Sequence, residues 1–125
     1  MLLQELWFGW FDAIYRKDQA ALWKVVATTR SHDAGVAAMG TMDFTQMPAS
    51  NLIEIGGLSI LLDRSDCLVV EHFLDMSDFR GFVGDTTVRV LWPDEDGQFR
   101  FATAWQHSND LWLGDCDDLV RDVTP

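Results

Sequence analysis

The 125-residue chain has few cysteines, and this shortage excludes the disulfide framework of a small secreted domain. Its two cysteines, Cys67 and Cys116, also lack the Cys-x-x-Cys spacing of redox and zinc motifs. The sequence therefore predicts reduced thiols and a cytoplasmic location.

Positive charge is scarce as well. Nine Lys and Arg residues against twenty Asp and Glu residues give a formal net charge of -11. This charge repels a nucleic-acid backbone and an anionic lipid surface over about 8 to 10 Å, so we expect no nucleic-acid partner and no membrane partner. The acidic excess either keeps an aromatic-rich protein soluble or steers it to a basic partner, and both interpretations stay open.

Long hydrophobic runs are missing too. The apolar segment at the N-terminus is interrupted by polar residues well before the roughly 20 residues that a membrane span needs. It carries Glu5 in place of the basic lead of a signal peptide. The sequence predicts neither a targeting segment nor a transmembrane helix.

Motifs of specific chemistry are not found either. The acidic run Asp94 to Gly97 lacks the alternating oxygen ligands and terminal glutamate of an EF-hand, so it is interpreted as a solvated turn. Asp115, Asp117 and Asp118 have no histidine beside them at metal-ligand spacing. Without a phosphate-cradling glycine loop or a Ser, His, Asp order, we expect no metal and no cofactor.

Large apolar side chains are abundant in contrast. Hydrophobic residues make up 48% of the chain and include six Trp and eight Phe. A chain of this length buries roughly two-thirds of the surface that it exposes when unfolded, so residues 1–125 are predicted to form one domain. So many flat side chains indicate a cavity or a partner surface.

The N-terminal half has the spacing of helices. Apolar residues recur at three- and four-residue intervals over residues 2–15, which predicts a helix with a broad apolar surface. Such a helix needs the sheet on one side and a second helix, a ligand or a subunit on the other. Asp18 is predicted to cap a second helix over residues 19–27. Residues 30–51 form either a short helix through Met39, capped by Ser31 or Asp33, or an irregular segment.

The C-terminal half alternates between apolar and polar residues, as half-buried strands do. Polar breaks at residues 63–66 and 93–97 predict hairpin turns, and Gly56-Gly57 predicts a bulge that curls the sheet. The predicted fold class is α+β, a curled antiparallel sheet with N-terminal helices packed on its concave face. The predicted strands cover residues 52–62, 67–76, 86–92 and 98–107.

Side chains on the inner faces of these elements are predicted to line an apolar hollow. His72 shares a strand face with apolar residues, where burial favours the neutral imidazole. It is a candidate proton-transfer group, or else a core histidine bonded to a backbone carbonyl, Ser59 or Thr103. The predicted ligand-binding residues are Trp10, Ile14, Phe101, Thr103 and Trp105.

Arg89 lies in the middle of the third predicted strand. Its favoured interpretation is a cross-strand ion pair with Glu71 or Asp75 on the neighbouring strand. The other interpretation is that it anchors an anionic ligand.

Two segments carry a resemblance to a known superfamily. The run from Trp10 to Leu22 resembles an aromatic-x-x-Ala-x-x-x-x-Asp-x-x-x-Leu helix junction, with Ala13 and Asp18 at the matching positions. The run Asp96-Gly97-Gln98-Phe99-Arg100 resembles an Asp-Gly turn leading into a strand. With the order of elements, these segments resemble the nuclear-transport-factor-2-like superfamily, which includes SnoaL-like and ketosteroid-isomerase-like proteins.

The resemblance implies a cone-shaped pocket, frequent dimerisation through the sheet, and functions that range from proton transfer to binding alone. The chain departs from the isomerases, because Trp10 replaces their helix-one tyrosine and Arg89 lies near their second acidic donor. Their carboxylate base would fall near Asp33 or Asp43, and residues 30–51 lack the superfamily's clear third helix.

The predicted function is binding of a hydrophobic small molecule by a homodimer, with proton transfer of isomerase or dehydratase type as an extension. The alternative is an acidic protein-interaction module of immunity or antitoxin type.

Overall fold

The protein is described by a computed structural model over residues 2–41, 54–75, 85–102 and 106–107. Three helices precede an antiparallel sheet in the order β1-β2-β3-β4, and β5 pairs with β3. The predicted α+β class is confirmed. The elements are α1 (Leu2–Arg16), α2 (Gln19–Leu22), α3 (Thr29–Thr41), β1 (Glu54–Arg64), β2 (Cys67–Asp75), β3 (Asp85–Pro93), β4 (Phe99–Phe101) and β5 (Gln106–His107).

Helix α1 has the broad apolar surface that its spacing predicts. It packs on the helix-facing side of the sheet in one core cluster with Val70, Leu74 and Phe101, and its other side contacts α2 and α3. The described helices are all too short or too polar to cross a bilayer. The buried residues of α1 are Leu3, Leu6, Trp7, Trp10, Phe11, Ala13 and Ile14.

Helix α2 begins as predicted but ends early. Asp18 caps it, because its carboxylate accepts a hydrogen bond from the Ala21 backbone N–H at 3.0 Å. The expected extension to Ala27 is wrong. The chain leaves the helical path to pair with β4, where the Phe101 carbonyl accepts from the Ala27 N–H at 2.7 Å and the Phe101 N–H donates to the Val25 carbonyl at 2.9 Å. These bonds replace those of a longer helix.

Helix α3 is longer than the sequence indicates. Its cap is Thr28, and not Ser31 or Asp33, because the Thr28 hydroxyl accepts from the Ser31 N–H at 3.0 Å. The same hydroxyl donates to the Ala102 carbonyl at 2.7 Å and so ties the start of the helix to the end of β4. The expectation that the segment lacks a clear third helix is therefore wrong.

Strand β1 contains the bulge predicted at its glycine pair. The β1–β2 register shifts between Gly56 and Ser59, and Gly57 has a φ of 57°, in the left-handed region that glycine adopts readily. A second shift follows between Ile60 and Leu62. β1 thus changes the facing of its side chains twice.

The predicted strand over residues 98–107 is wrong as a continuous element. β4 pairs with β3 through Phe101 and Leu91, and β5 pairs with it through Gln106 and Val88. Ala102 follows β4 and belongs to no strand, and residues 103–105 lie outside the described residues.

The face of the sheet away from the helices has its own buried cluster, in which Cys67 and Val88 are 1% and 0% exposed. Cys67 takes part in a disulfide, so the expectation of reduced thiols is wrong at this position. The only other cysteine in the sequence, Cys116, lies outside the described residues. The cluster's members are Cys67, Val69, Val88, Val90 and Ala102.

Candidate ligand-binding pocket

An apolar pocket of about 190 Å³ lies between the first turns of α1 and the sheet. Helix α1 and the four strands β1 to β4 all contribute side chains to its wall. The lining surface carries no polar atom. Its lining residues are Leu3 and Leu6 from α1, Leu58 and Ile60 from β1, Leu68 and Val70 from β2, Leu91 from β3 and Phe99 from β4.

The sheet register brings the strand residues of the pocket together. Ile60 lies opposite Val70, and Leu68 lies opposite Leu91, and side chains of directly opposed residues share a face. Val70 and Leu91 are buried and form the floor. Leu58 and Ile60 are 44% and 56% exposed, so the pocket opens along β1.

The bulges of β1 decide which side chains reach the pocket. Gly56 lies opposite Phe73 on the far face, so regular alternation would place residues 58 and 60 on that face as well. The register shift after Gly56 inserts one residue and turns Leu58 and Ile60 to the helices. The second shift returns Leu62 to the far face, where it packs on the far cluster.

A buried layer of polar and aromatic side chains lies next to the pocket on the helix-facing side of the sheet. On β2, β3 and β4 the next residue on the helix-facing side belongs to this layer: His72 follows Val70, Arg89 precedes Leu91, and Phe101 follows Phe99. Trp7 joins them from α1. All four layer residues are at most 1% exposed.

Trp7 and His72 form a hydrogen bond inside this layer. The Trp7 indole N–H donates to His72 Nε2 at 2.9 Å, and the ring centres lie 5.9 Å apart. Phe11 stacks against Trp7 with ring centres 5.7 Å apart, and this contact helps to orient the indole. His72 Nδ1 has no hydrogen-bond partner among the residues that the structure describes.

Arg89 is buried over two aromatic rings. Its guanidinium carbon lies 3.7 Å from the centre of Phe101 and 4.9 Å from that of Trp7, the geometry of a cation–π contact. Arg89 opposes Val70 on the helix-facing side, whereas Glu71 and Asp75 belong to the other face of β2, so the sheet register does not favour the expected ion pair, which stays a prediction.

Burial sets the charge states of this layer. It lowers the pKa of His72 from 6.5 to about 4, the positive charge of Arg89 lowers it further, and the Val70 backbone opposes the change. Burial also lowers the pKa of Arg89 to about 9, so the guanidinium keeps its proton at neutral pH. Because Nε2 of the neutral His72 accepts from Trp7, the imidazole proton is on Nδ1.

Four of the six site residues predicted from the sequence are described, and none of these four lines the pocket. Trp10, Ile14 and Phe101 are in the core cluster and are not among the residues that line the pocket. His72 is in the buried layer, with Trp7 as its hydrogen-bond partner. Thr103 and Trp105 lie outside the described residues. The ligand contacts of all five residues stay a prediction.

To predict the pocket residues of β1 from the sequence, one has to know how the glycine pair changes the side of the sheet on which later side chains lie. Gly56-Gly57 predicts the bulge that the structure contains, and a bulge also changes the face of the residues that follow it. Applying that rule to β1 selects Leu58 and Ile60.

No family model, no curated protein and no solved structure matches this chain. Within the described residues, no group of three or more His, Cys, Asp and Glu side chains is placed to hold a metal ion. The candidate site is therefore defined by its geometry.

Proposed function

We propose that this chain is a small-molecule-binding domain and that its ligand is an uncharged hydrophobic compound held between α1 and the sheet. The observation that carries the proposal is the wholly apolar lining of a pocket whose rim is exposed. A water molecule in such a space would lack hydrogen-bond partners, because a buried water needs about two to four polar groups. An aromatic or aliphatic ligand needs none.

The volume limits the size of the ligand. A dry cavity of about 150 Å³ is known to accept benzene, so a pocket of about 190 Å³ suits one or two rings or a short alkyl chain. A ten-atom ligand with a Kd of about 1 μM would need about -0.8 kcal/mol per atom, below the ceiling of about -1.5 kcal/mol per atom. Micromolar binding of a naphthalene-sized compound is therefore a reasonable expectation.

Binding without an assigned reaction is the function that this geometry supports. Proton transfer by His72 would need a free lone pair, but Nε2 accepts from Trp7 and the low pKa makes the imidazole a weak base. The Nδ1–H remains a hydrogen-bond donor, which could hold a polar end of a ligand only if the layer opened.

Membership of the nuclear-transport-factor-2-like superfamily is part of the proposal. Its support is the order of three N-terminal helices followed by an antiparallel sheet with a bulged first strand. A cytoplasmic location is not proposed, because disulfides such as that of Cys67 persist mainly in oxidising compartments.

The test is a titration with naphthalene, followed by tryptophan fluorescence and by calorimetry. Phe99→Trp places a larger ring in the pocket wall, and we expect at least a tenfold loss of naphthalene affinity. Phe73→Trp is the matched control, because Phe73 is 39% exposed on the far face and its affinity should equal that of the unmodified protein. Equal affinity in both variants, or no binding by the unmodified protein, would refute the proposal.

A further inference from the structure

Strand β1 presents an unusual edge. It is the outermost strand of the described sheet and is eleven residues long. Its centre, residues 55–62, carries no charge, and Leu58, Ile60 and Leu61 are 40 to 56% exposed. Soluble proteins usually protect such edges with lysine, proline or short strands, and β1 contains neither residue. An edge of this kind is suited to pairing with another strand.

We propose that β1 pairs antiparallel with β1 of a second copy, about a twofold axis beside Ser59. The two sheets then join into one, and Ser59 lies opposite Ser59 of the partner subunit. This interface is isologous, so each contact away from the axis occurs twice. The inference concerns assembly and does not depend on ligand binding.

The end charges of β1 select this register. With Ser59 on the axis, paired residue numbers add up to 118, so Glu54 opposes Arg64 of the partner subunit and two such pairs form. A shift by one residue, to a sum of 117, would place Glu54 opposite Asp63 of the partner subunit, where like charges repel. Arg64 also donates to Asp66 in its own chain through Nε at 2.9 Å and Nη2 at 2.7 Å, so Glu54 of the partner subunit would share this guanidinium with Asp66.

Side-chain size supports the same register. Gly56 and Gly57 oppose Leu62 and Leu61 of the partner subunit, so small residues face large ones. A Cβ atom added at Gly56 would meet no atom within 4 Å, which shows that there is room beside it. The bulges agree as well: the irregularities at Gly57 and Leu61 fall opposite each other, so each strand bends where its partner bends.

The second copy would complete the pocket. Leu58 opposes Ile60 of the partner subunit, and both positions form the exposed rim of the pocket in each chain. Pairing therefore covers both openings with apolar side chains from the other subunit. It also removes the apolar centre of β1 from water, which favours association.

Sedimentation equilibrium of the ligand-free chain at micromolar concentration tests the assembly. We expect twice the 14.2 kDa chain mass. Ile60→Lys places two ammonium groups close to the axis and should give a monomer. Tyr15→Lys is the control, since Tyr15 is also 41% exposed but lies on α1, and it should remain a dimer. A monomeric unmodified protein, or a dimeric Ile60→Lys variant, would overturn the proposal.

Cross-linking tests the register. Directly opposed residues in an antiparallel pair have Cβ atoms about 4.5 to 5.5 Å apart, so Ser59→Cys should form a covalent dimer on mild oxidation. Ser65→Cys, in the exposed β1–β2 turn, should not. A dimer in which Ser59→Cys does not cross-link would overturn the register. Loss of naphthalene binding with an intact dimer would count against the proposed ligand and leave the assembly standing.

Discussion

At the scale of single residues, the pair of Trp7 and His72 shows how a polar group is accommodated in an aromatic core. A buried imidazole that stays neutral avoids the large cost of burying a charge, and the indole N–H satisfies one of its nitrogens. Arg89 adds a positive charge nearby and makes protonation of His72 still less favourable. The layer therefore has a stability that depends on pH.

The sign of this dependence follows from the pKa values. The pKa of His72 is about 4 in the folded state and 6.5 when unmodified by the fold, so the unfolded chain binds more protons between these values. The contribution of neutral His72 to the free energy of unfolding is fully present above pH 6.5, and it is lost as the pH falls to about 4. Between pH 7 and pH 5 the free energy of unfolding should fall by about 2 kcal/mol through His72 alone.

Urea unfolding of the unmodified protein and of His72→Gln at pH 7 and pH 5 measures this contribution. Glutamine does not titrate, and its carbonyl can still accept from Trp7. Other titrating groups affect both proteins alike, so the difference between their pH responses isolates His72. An identical response in the two proteins would show that His72 is not buried in the neutral form.

At the scale of elements, the packing of α3 depends on a close approach to α2. A Cβ atom added at Gly35 would clash with the Leu22 side chain, whereas one added at Gly40 would meet nothing within 4 Å. Both glycines lie in α3, so the two positions separate packing from helix propensity.

Opposite effects are expected from alanine at these two positions. Gly40→Ala should raise the free energy of unfolding by up to about 1 kcal/mol, because alanine restricts the unfolded chain and favours the helix. Gly35→Ala should lower it by about 1 to 3 kcal/mol, because overpacking at Leu22 outweighs the same propensity gain. Thermal and urea unfolding provide the values, and stabilisation by Gly35→Ala would contradict the close approach.

The elements also show how far local sequence patterns determine the fold. The pattern predicts β2 within one residue, and its alternation correctly places His72 on the helix-facing side. The end of α2 could not be predicted, because it depends on backbone hydrogen bonds to Phe101, more than 70 residues away. The cap of α3 depends on Thr28, whose hydroxyl serves both Ser31 and the distant Ala102.

The candidate site was harder to predict than the fold. Alternation on β3 is sufficient to place Arg89 on the side of Leu91, but its cation–π contact requires knowing where Trp7 and Phe101 meet. The residues of the pocket wall require the three-dimensional register of β1 on β2.

At the scale of the whole molecule, the disulfide of Cys67 links the sheet to the second cysteine of the sequence if the bond is formed within one chain. We expect no reactive thiol in the unreduced, denatured protein and two after reduction, as measured with a thiol reagent. Peptide mapping without reductant should recover Cys67 joined to Cys116. Two reactive thiols before reduction would contradict the disulfide.

Beyond these contacts, the glycine-bearing bulge of β1 makes the backbone conformation of one residue a determinant of specificity. If a residue that avoids a positive φ replaced Gly57 and the strand straightened, every lining side chain would stay unaltered in type, yet Leu58 and Ile60 would turn to the opposite surface and take the wall of the cavity with them. A replacement at a position that contributes no side chain to the compartment could thus abolish it.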